Sequence, residues 1–198
     1  MLKFSLKRDC MTIVRFKNFI NLTDDEKRLV LEWRNSDRVR LNMLNKDIIP
    51  LENHLRFIDS LKNRNDCKYW LFMIDEIPIG VFDLVDIKPD GSGGIGGSYI
   101  GDINYNGYGL LLNYLLFDYC FENNKGQKKY TKEDCFYVMK NNPRTYKMHK
   151  NIFGAKDFAE DDEKWYLYID YDSWVEIKDY LKKTLCDPLE IEKVIWEG

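Results

Sequence analysis

Asn104-Tyr105-Asn106-Gly107-Tyr108-Gly109 is the stretch on which the fold turns. Residues 98–102 before it have the composition of a strand. From Gly107 to about residue 123 the spacing predicts a helix with Leu112, Leu115, Leu116 and Tyr119 on its inner face. A glycine-bearing turn from strand into helix presents unpaired backbone N–H groups beside the positive end of the helix dipole, a combination that holds a pyrophosphate. Glycines at such a turn let the backbone approach phosphate oxygens unobstructed. No Gly-Lys-Ser/Thr follows, so this is not a P-loop, and no third glycine completes a dinucleotide fingerprint. Alone, the N-x-x-G-x-G pattern fits an ordinary structural turn equally well.

Working outward, residues 134–140 read as a strand. Asn142-Pro143 then starts a helix that Gly154 can close, an Asn cap with proline in the first turn. On the other side, residues 69–74 and 77–85 are apolar β-prone runs split by Asp75-Glu76, a hairpin pattern. A turn containing Asp90, Gly91, Gly93, Gly94, Gly96 and Gly97 leads from the hairpin to residues 98–102. At the front, residues 12–19 alternate like a strand, Thr23 to Glu26 forms a capping box, and Pro50 opens a helix carrying Leu51, Leu55, Ile58 and Leu61. At the back, residues 165–171 form a strand. Ser173 to Glu176 is a second capping box before a helix with Trp174, Ile177 and Leu181 on one face, interrupted by Asp187-Pro188. This order is α/β without internal repeats.

The 198 residues suffice for one domain, with or without an appendage. A hydrophobic content of 44% against 32% charged residues predicts a filled, solvated globule instead of a disordered chain. A net charge of −3 argues against a basic nucleic-acid clamp while leaving room for one local phosphate pocket. Cys10, Cys67, Cys120, Cys135 and Cys186 are scattered without a C-x-x-C pair, the pattern of reduced thiols. No stretch has the length of a membrane span or a secretory leader, so a cytoplasmic protein is expected. Asp83, Asp86 and Asp102 have the spacing of strand ends and turns, and no metal is assigned to them.

The loop at Asn104 followed, one strand later, by Asn142-Pro143-Arg144-Thr145-Tyr146-Lys147-Met148-His149-Lys150-Asn151-Ile152-Phe153-Gly154 resembles the GNAT superfamily of acetyl-CoA-dependent N-acetyltransferases. Its members pair R/Q-x-x-G-x-G/A with a later N-x-x-A-x-x-x-Y-x-x-x-G-F helix. His149 stands where the family usually has Tyr. The resemblance spans about residues 12–172, leaving 173–198 as a C-terminal helical extension. It implies a mixed central sheet splayed at the acetyl-CoA cleft, with helices on both faces and an extra C-terminal helix. A narrower resemblance lies in Leu31-Glu32-Trp33-Arg34-Asn35 with Met43, followed by His54-Leu55-Arg56-Phe57. That combination is similar to the nucleotide-sugar N-acetyltransferases of pseudaminic acid synthesis, which acetylate the 4-amino group of a UDP-linked 4-amino-4,6-dideoxy sugar.

The resemblance implies a role for each matching residue. Ile100, Asp102, Asn104, Tyr105, Asn106, Gly107, Tyr108, Gly109 and Leu110 would hold the cofactor, with backbone donors from Tyr105 to Leu110 on the pyrophosphate. Asn142 would bond the pantetheine arm, and Arg144 would also bind the cofactor. A bulge at Gly96 and Gly97 would free strand amides for the oxyanion. His149, with an ordinary pKa of about 6.5, would protonate the leaving thiolate. Tyr137 holds the catalytic position where close relatives often carry Glu, but a phenol near 10 is a poor base at neutral pH, so either His149 takes both roles or water removes the amine proton. The base is therefore unassigned. Arg34, Met43, His54, Phe57 and Tyr99 would form the UDP-sugar pocket, Arg34 because its planar fork suits a diphosphate. No nucleic-acid or membrane partner is implied, and a homodimer is compatible. Three alternatives stand beside this one: a protein N-terminus, a polyamine or an aminoglycoside as acceptor in the same fold. A fourth is a non-catalytic acetyl-CoA-binding module, suggested by His149 and Tyr137 replacing the usual Tyr and Glu.

Overall fold

The computed structural model describes residues 11–89, 94–122 and 136–198. Asp90, Gly91 and Gly93 of the glycine-rich turn, and residues 134–135 of the expected strand, lie outside them. The chain runs β1 (Thr12–Asn18), α1 (Asp24–Asn35), α2 (Asp37–Arg40), α3 (Leu51–Ser60), β2 (Cys67–Ile74), β3 (Ile77–Val85) and β4 (Ile95–Ile100). It continues through α4 (Gly109–Glu122), β5 (Phe136–Met139), α5 (Pro143–Asn151), β6 (Lys156–Glu160), β7 (Lys164–Tyr168), α6 (Tyr171–Leu185) and β8 (Ile191–Trp196).

Two sheets result. One has the order β4-β3-β2-β1-β8, the other β5-β7-β6, so β4 and β5 are facing edges with no ladder between them. This is the splayed mixed sheet that the sequence implied. Strands β2 and β3 read as continuous apolar runs because both faces of their sheet are covered. On one face Phe16, Trp70, Phe72 and Phe82 pack with Leu112, Leu115 and Leu116 of α4 and Trp174 of α6. On the other, Leu71, Met73 and Val81 pack with Val30 and Trp33 of α1 and Ile58 of α3.

The sequence expectation needs revision at four places. First, the extra C-terminal helix is present as α6, but the segment 173–198 also carries the strand β8. The helix starts at Tyr171, because Asp170 accepts from the Ser173 backbone N–H (2.9 Å) and caps it three residues before the expected cap at Ser173. Trp174 and Leu181 join the main core, and β8 pairs in parallel with β1. Trp196 stacks on Phe16 with ring centroids 3.6 Å apart, which places the chain's end in the same hydrophobic unit as its start. Second, β6 was not anticipated, since all five of its residues are exposed and so carry no apolar alternation. Third, β4 pairs with β3 in unbroken register from Gly80↔Ile100 to Val85↔Ile95, so Gly96 and Gly97 sit in a regular strand and form no bulge. Fourth, the decisive motif does not start an α-helix at Gly107. Ile103–Tyr108 is a 3-10 turn that feeds α4 at Gly109.

Glycine is required where strands and helices crowd. A Cβ on Gly101 would lie 2.0 Å from the Trp33 ring, so the Trp33 side chain of α1 closes directly over the end of β4.

Candidate active site

The gap between β4 and β5 is a cavity of about 530 Å³, floored by α4 and walled by α5. As an edge strand, β4 turns alternate backbone N–H and C=O groups toward this gap. Ile100, Asn106, Gly109, Asn142, Tyr99, Met43, Tyr137 and His149 all line it, which brings together residues from opposite ends of the sequence expectation. A second cavity of about 370 Å³ adjoins it on the α1–α3 side. Arg34, Met43, His54, Phe57 and Tyr99, the five residues expected in the acceptor pocket, all line this second cavity, together with Tyr137. Met43, Asp83, Tyr99 and Tyr137 belong to both. The two cavities therefore share a wall.

Several expected cofactor residues do other work. Asp102 caps the 3-10 turn, its carboxylate accepting from the Asn104 backbone N–H and the Asn104 side chain, both at 2.9 Å. The Tyr105 N–H donates to the Asp102 carbonyl and the Gly109 N–H to the Asn106 carbonyl, so neither is a free donor for a pyrophosphate. Asp102, Asn104, Tyr105, Gly107, Tyr108, Leu110 and Arg144 do not line either cavity; Asn104, Gly107 and Arg144 are exposed near the cleft mouth. Gly107 has open space beside it, since a Cβ there would meet no protein atom within 4 Å. Asn142 caps α5 by accepting from the Thr145 N–H at 3.3 Å.

One residue unnoticed in the sequence braces the turn. Arg38 of α2 donates to the Gly101 carbonyl and, at 3.3 Å, to Asn106 Oδ1. Across the cleft mouth Asn141 donates to the Leu41 carbonyl at 2.9 Å. The segment after α1 is thus tied to both sides of the split. Its residue types are ordinary surface ones, so no linear signal marked it.

Several polar groups of the site are buried or half-buried. His149 is buried in a box of aromatic rings, with Phe136 at 4.7 Å, Phe153 at 5.9 Å and Phe117 at 6.0 Å, and its Nδ1 has no partner among the described residues. Burial pushes its pKa down to about 3, which corrects the expectation of an ordinary imidazole: at neutral pH it is uncharged. As an uncharged ring it can still donate one N–H hydrogen bond, as a Tyr hydroxyl would. His54 is buried too, but its Nε2 lies 3.0 Å from the Lys27 carbonyl, which can only accept, so Nε2 carries the hydrogen. Arg34 donates through Nη2 to the Asn45 carbonyl at 2.7 Å, while its buried Nη1 has no partner among the described residues. Tyr99 and Tyr137 are held in the phenol form, their pKa values raised first by burial and then by the charge of Asp83.

Asp83, which sequence reasoning weighed only as a metal ligand, also lines the site. It pairs with Tyr69 on one side and Gly97 on the other. Both its carboxylate oxygens lie within 2.9 Å of the point a Gly97 Cβ would occupy. Desolvation pushes its pKa up to about 7. The available signal was an acid in the middle of Ile79-Gly80-Val81-Phe82-Asp83-Leu84-Val85, a strand apolar on both faces.

No family model matches the chain. It is 33% identical over 150 residues to the acetyltransferase PseH of Campylobacter jejuni, covering 75% of this chain and 90% of that protein. The crystal structure of Campylobacter jejuni N-acetyltransferase PseH in complex with acetyl coenzyme A superposes with a TM-score of 0.62 at 28% identity, over 79% of this chain and 98% of the other. Apo FdhC, a nucleotide-linked sugar GNAT, shares the fold with a TM-score of 0.68 at 22% identity, over 88% and 95% of the two chains. Sequence and split sheet agree, and the chain belongs to the PseH acetyltransferases of the GNAT superfamily.

Proposed function

We propose that the protein transfers the acetyl group of acetyl-CoA to the 4-amino group of a UDP-linked 4-amino-4,6-dideoxy sugar, by direct attack of the amine on the thioester. The observation that carries this is the pair of cavities with a common wall. One opens between β4 and β5, as a thioester arm requires, and the other gathers all five residues expected to hold a nucleotide sugar. The relatives support both halves: PseH of Campylobacter jejuni was crystallised with acetyl coenzyme A, and FdhC is described as a nucleotide-linked sugar GNAT.

Acetyl-CoA supplies an activated acyl group; the chain supplies orientation and a water-poor setting. The edge amides of β4 face the place where negative charge develops on the carbonyl oxygen. The uncharged His149, with its unpartnered Nδ1, offers a hydrogen bond at the cleft. Arg34 presents buried Nη1 to the acceptor cavity, where a diphosphate oxygen would satisfy it. Phe57 and Met43 cover the apolar parts of the acceptor. Cys67 and Cys186 are buried thiols outside any disulfide, which suits a reducing, cytoplasmic setting.

The test is thiol release from acetyl-CoA with a panel of nucleotide-linked amino sugars, polyamines and aminoglycosides. Turnover with the UDP-linked 4-amino sugar, and inhibition by UDP alone, is the expected result. Turnover confined to polyamines or aminoglycosides, with UDP inert, would refute it.

A further inference from the structure

We propose that Asp83 is the group that takes the proton from the attacking amine, because its carboxylate stands in the wall common to both cavities and reaches over the bare Cα of Gly97 toward the cleft edge of the sheet. The proposal rests on the N-acetyltransferase function above.

Strand geometry sets the position. Val81, Asp83 and Val85 alternate onto the face covered by α1 and α3, and their partners on β4 are Tyr99, Gly97 and Ile95. Between Tyr99 and Ile95 the edge strand has no side chain on that face. Asp83 fills this gap, with Oδ2 at 2.8 Å and Oδ1 at 2.9 Å from the absent Cβ. The one missing side chain is thus what lets a residue of the second strand reach the edge where an acyl group and an amine would meet.

The other titratable groups facing Asp83 are unsuited to the task. Tyr69 on β2, Tyr99 on β4 and Tyr137 on β5 are raised above the ordinary phenol value, and Cys67 on β2 above the ordinary thiol value, in every case chiefly by burial. Arg34 of α1 is cationic, and burial depresses His54 of α3, whose Nε2 is committed to the Lys27 carbonyl. His149 lies in its aromatic box on the far wall. Asp86 is exposed and lines the cleft cavity but not the acceptor cavity. Among the described residues Asp83 is the one acid lining both.

In the step, the uncharged amine nitrogen bonds to the thioester carbon while the C=O pair moves onto oxygen. The nitrogen gives one proton to the Asp83 carboxylate. Re-formation of the carbonyl breaks the C–S bond, and the thiolate is protonated as Asp83 returns its proton through solvent. Amide and free thiol leave, and the enzyme regains its starting charge.

The experiment compares wild type with Asp83→Asn on the UDP-linked 4-amino sugar across pH 5–9, following thiol release. We expect kcat to fall about 10²- to 10⁴-fold, the range for loss of a general base, with the KM for acetyl-CoA little changed. The wild-type acid limb of kcat/KM, centred near the carboxyl's value of about 7, should vanish with it. Asp83→Glu should keep that limb at reduced rate. Should Asp83→Asn not fold, Gly97→Ala serves instead: its methyl displaces the carboxylate and should cut kcat while acetyl-CoA binding survives. Asp83→Asn, or Gly97→Ala in its place, turning over at the wild-type rate would overturn the role of Asp83 and leave the acetyltransferase function standing. Absence of thiol release by the wild type with every nucleotide-linked amino sugar would overturn both.

Discussion

His149 and Asp83 stand on opposite walls of one cleft, and the same physical cause moves them in opposite directions. His149 is buried and Asp83 half-buried, and desolvation drives each toward its uncharged form. For an imidazole that means a value near 3 and loss of proton traffic at neutrality. For a carboxyl it means a value near 7, poised at neutrality. Residue type alone suggests histidine as the shuttle and aspartate as a permanently charged bystander. Burial exchanges the two roles.

The largest expected consequence is in stability. The folded chain holds a proton on Asp83 more tightly than the unfolded chain does, so this group's contribution is complete below about pH 4 and is lost as pH rises to about 7. Asp83→Asn should therefore match wild type near pH 4 and exceed it at pH 8, by on the order of 4 kcal/mol at most. Equal denaturation midpoints at pH 8 would break the comparison on the acidic side.

The sign reverses for His149, whose folded value lies below its unfolded one. Its contribution is present above about pH 6.5 and is lost as pH falls toward 3. His149→Phe keeps an aromatic ring among Phe117, Phe136 and Phe153. At pH 5 it should be more stable than wild type by about 2 kcal/mol, and at pH 8 the advantage should disappear. Urea unfolding at the two pH values measures this.

The same variant should lower kcat about tenfold, the worth of one hydrogen bond of about 1.4 kcal/mol to the leaving sulfur, with acetyl-CoA affinity unchanged. Tyr at position 149, the usual residue of the superfamily, should recover part of that loss. Full activity of His149→Phe in steady-state assays would show that the packing of the ring, and not its N–H, is what matters.

The smallest effect is at the cleft mouth. Gly107→Val should weaken acetyl-CoA about fivefold, near 1 kcal/mol, by placing branched carbon where the structure leaves open space. Calorimetric titration would reveal it, and wild-type affinity would remove the turn at 103–108 from the cofactor site.

Much of the frame was legible in linear order. The capping box at Thr23 is present with both of its hydrogen bonds, because its four residues are contiguous and need no tertiary help. The hairpin around Asp75-Glu76 is equally local, and both residues take the left-handed conformation of a tight turn. Arg34, Met43, His54, Phe57 and Tyr99, which lie far apart in the chain, line one cavity. Strands β6 and β8 were illegible for different reasons. Residues 156–160 are exposed and lack periodicity, while 191–196 follow a helix break and pair with a strand some 180 residues earlier.

The order of apolar runs, caps and glycines was enough to specify an α/β scaffold, since hydrogen bonding and periodicity act over a few residues and are written into the chain itself, while the acetyltransferase reading came from the resemblance carried by the Asn104 and Asn142 motifs. Which groups in that scaffold are charged depended on neighbours distant in sequence. Dielectric environment is a property of packing: Asp83 acquires its unusual acidity from β2, β4 and β5 closing around it, and no window along the chain contains all four.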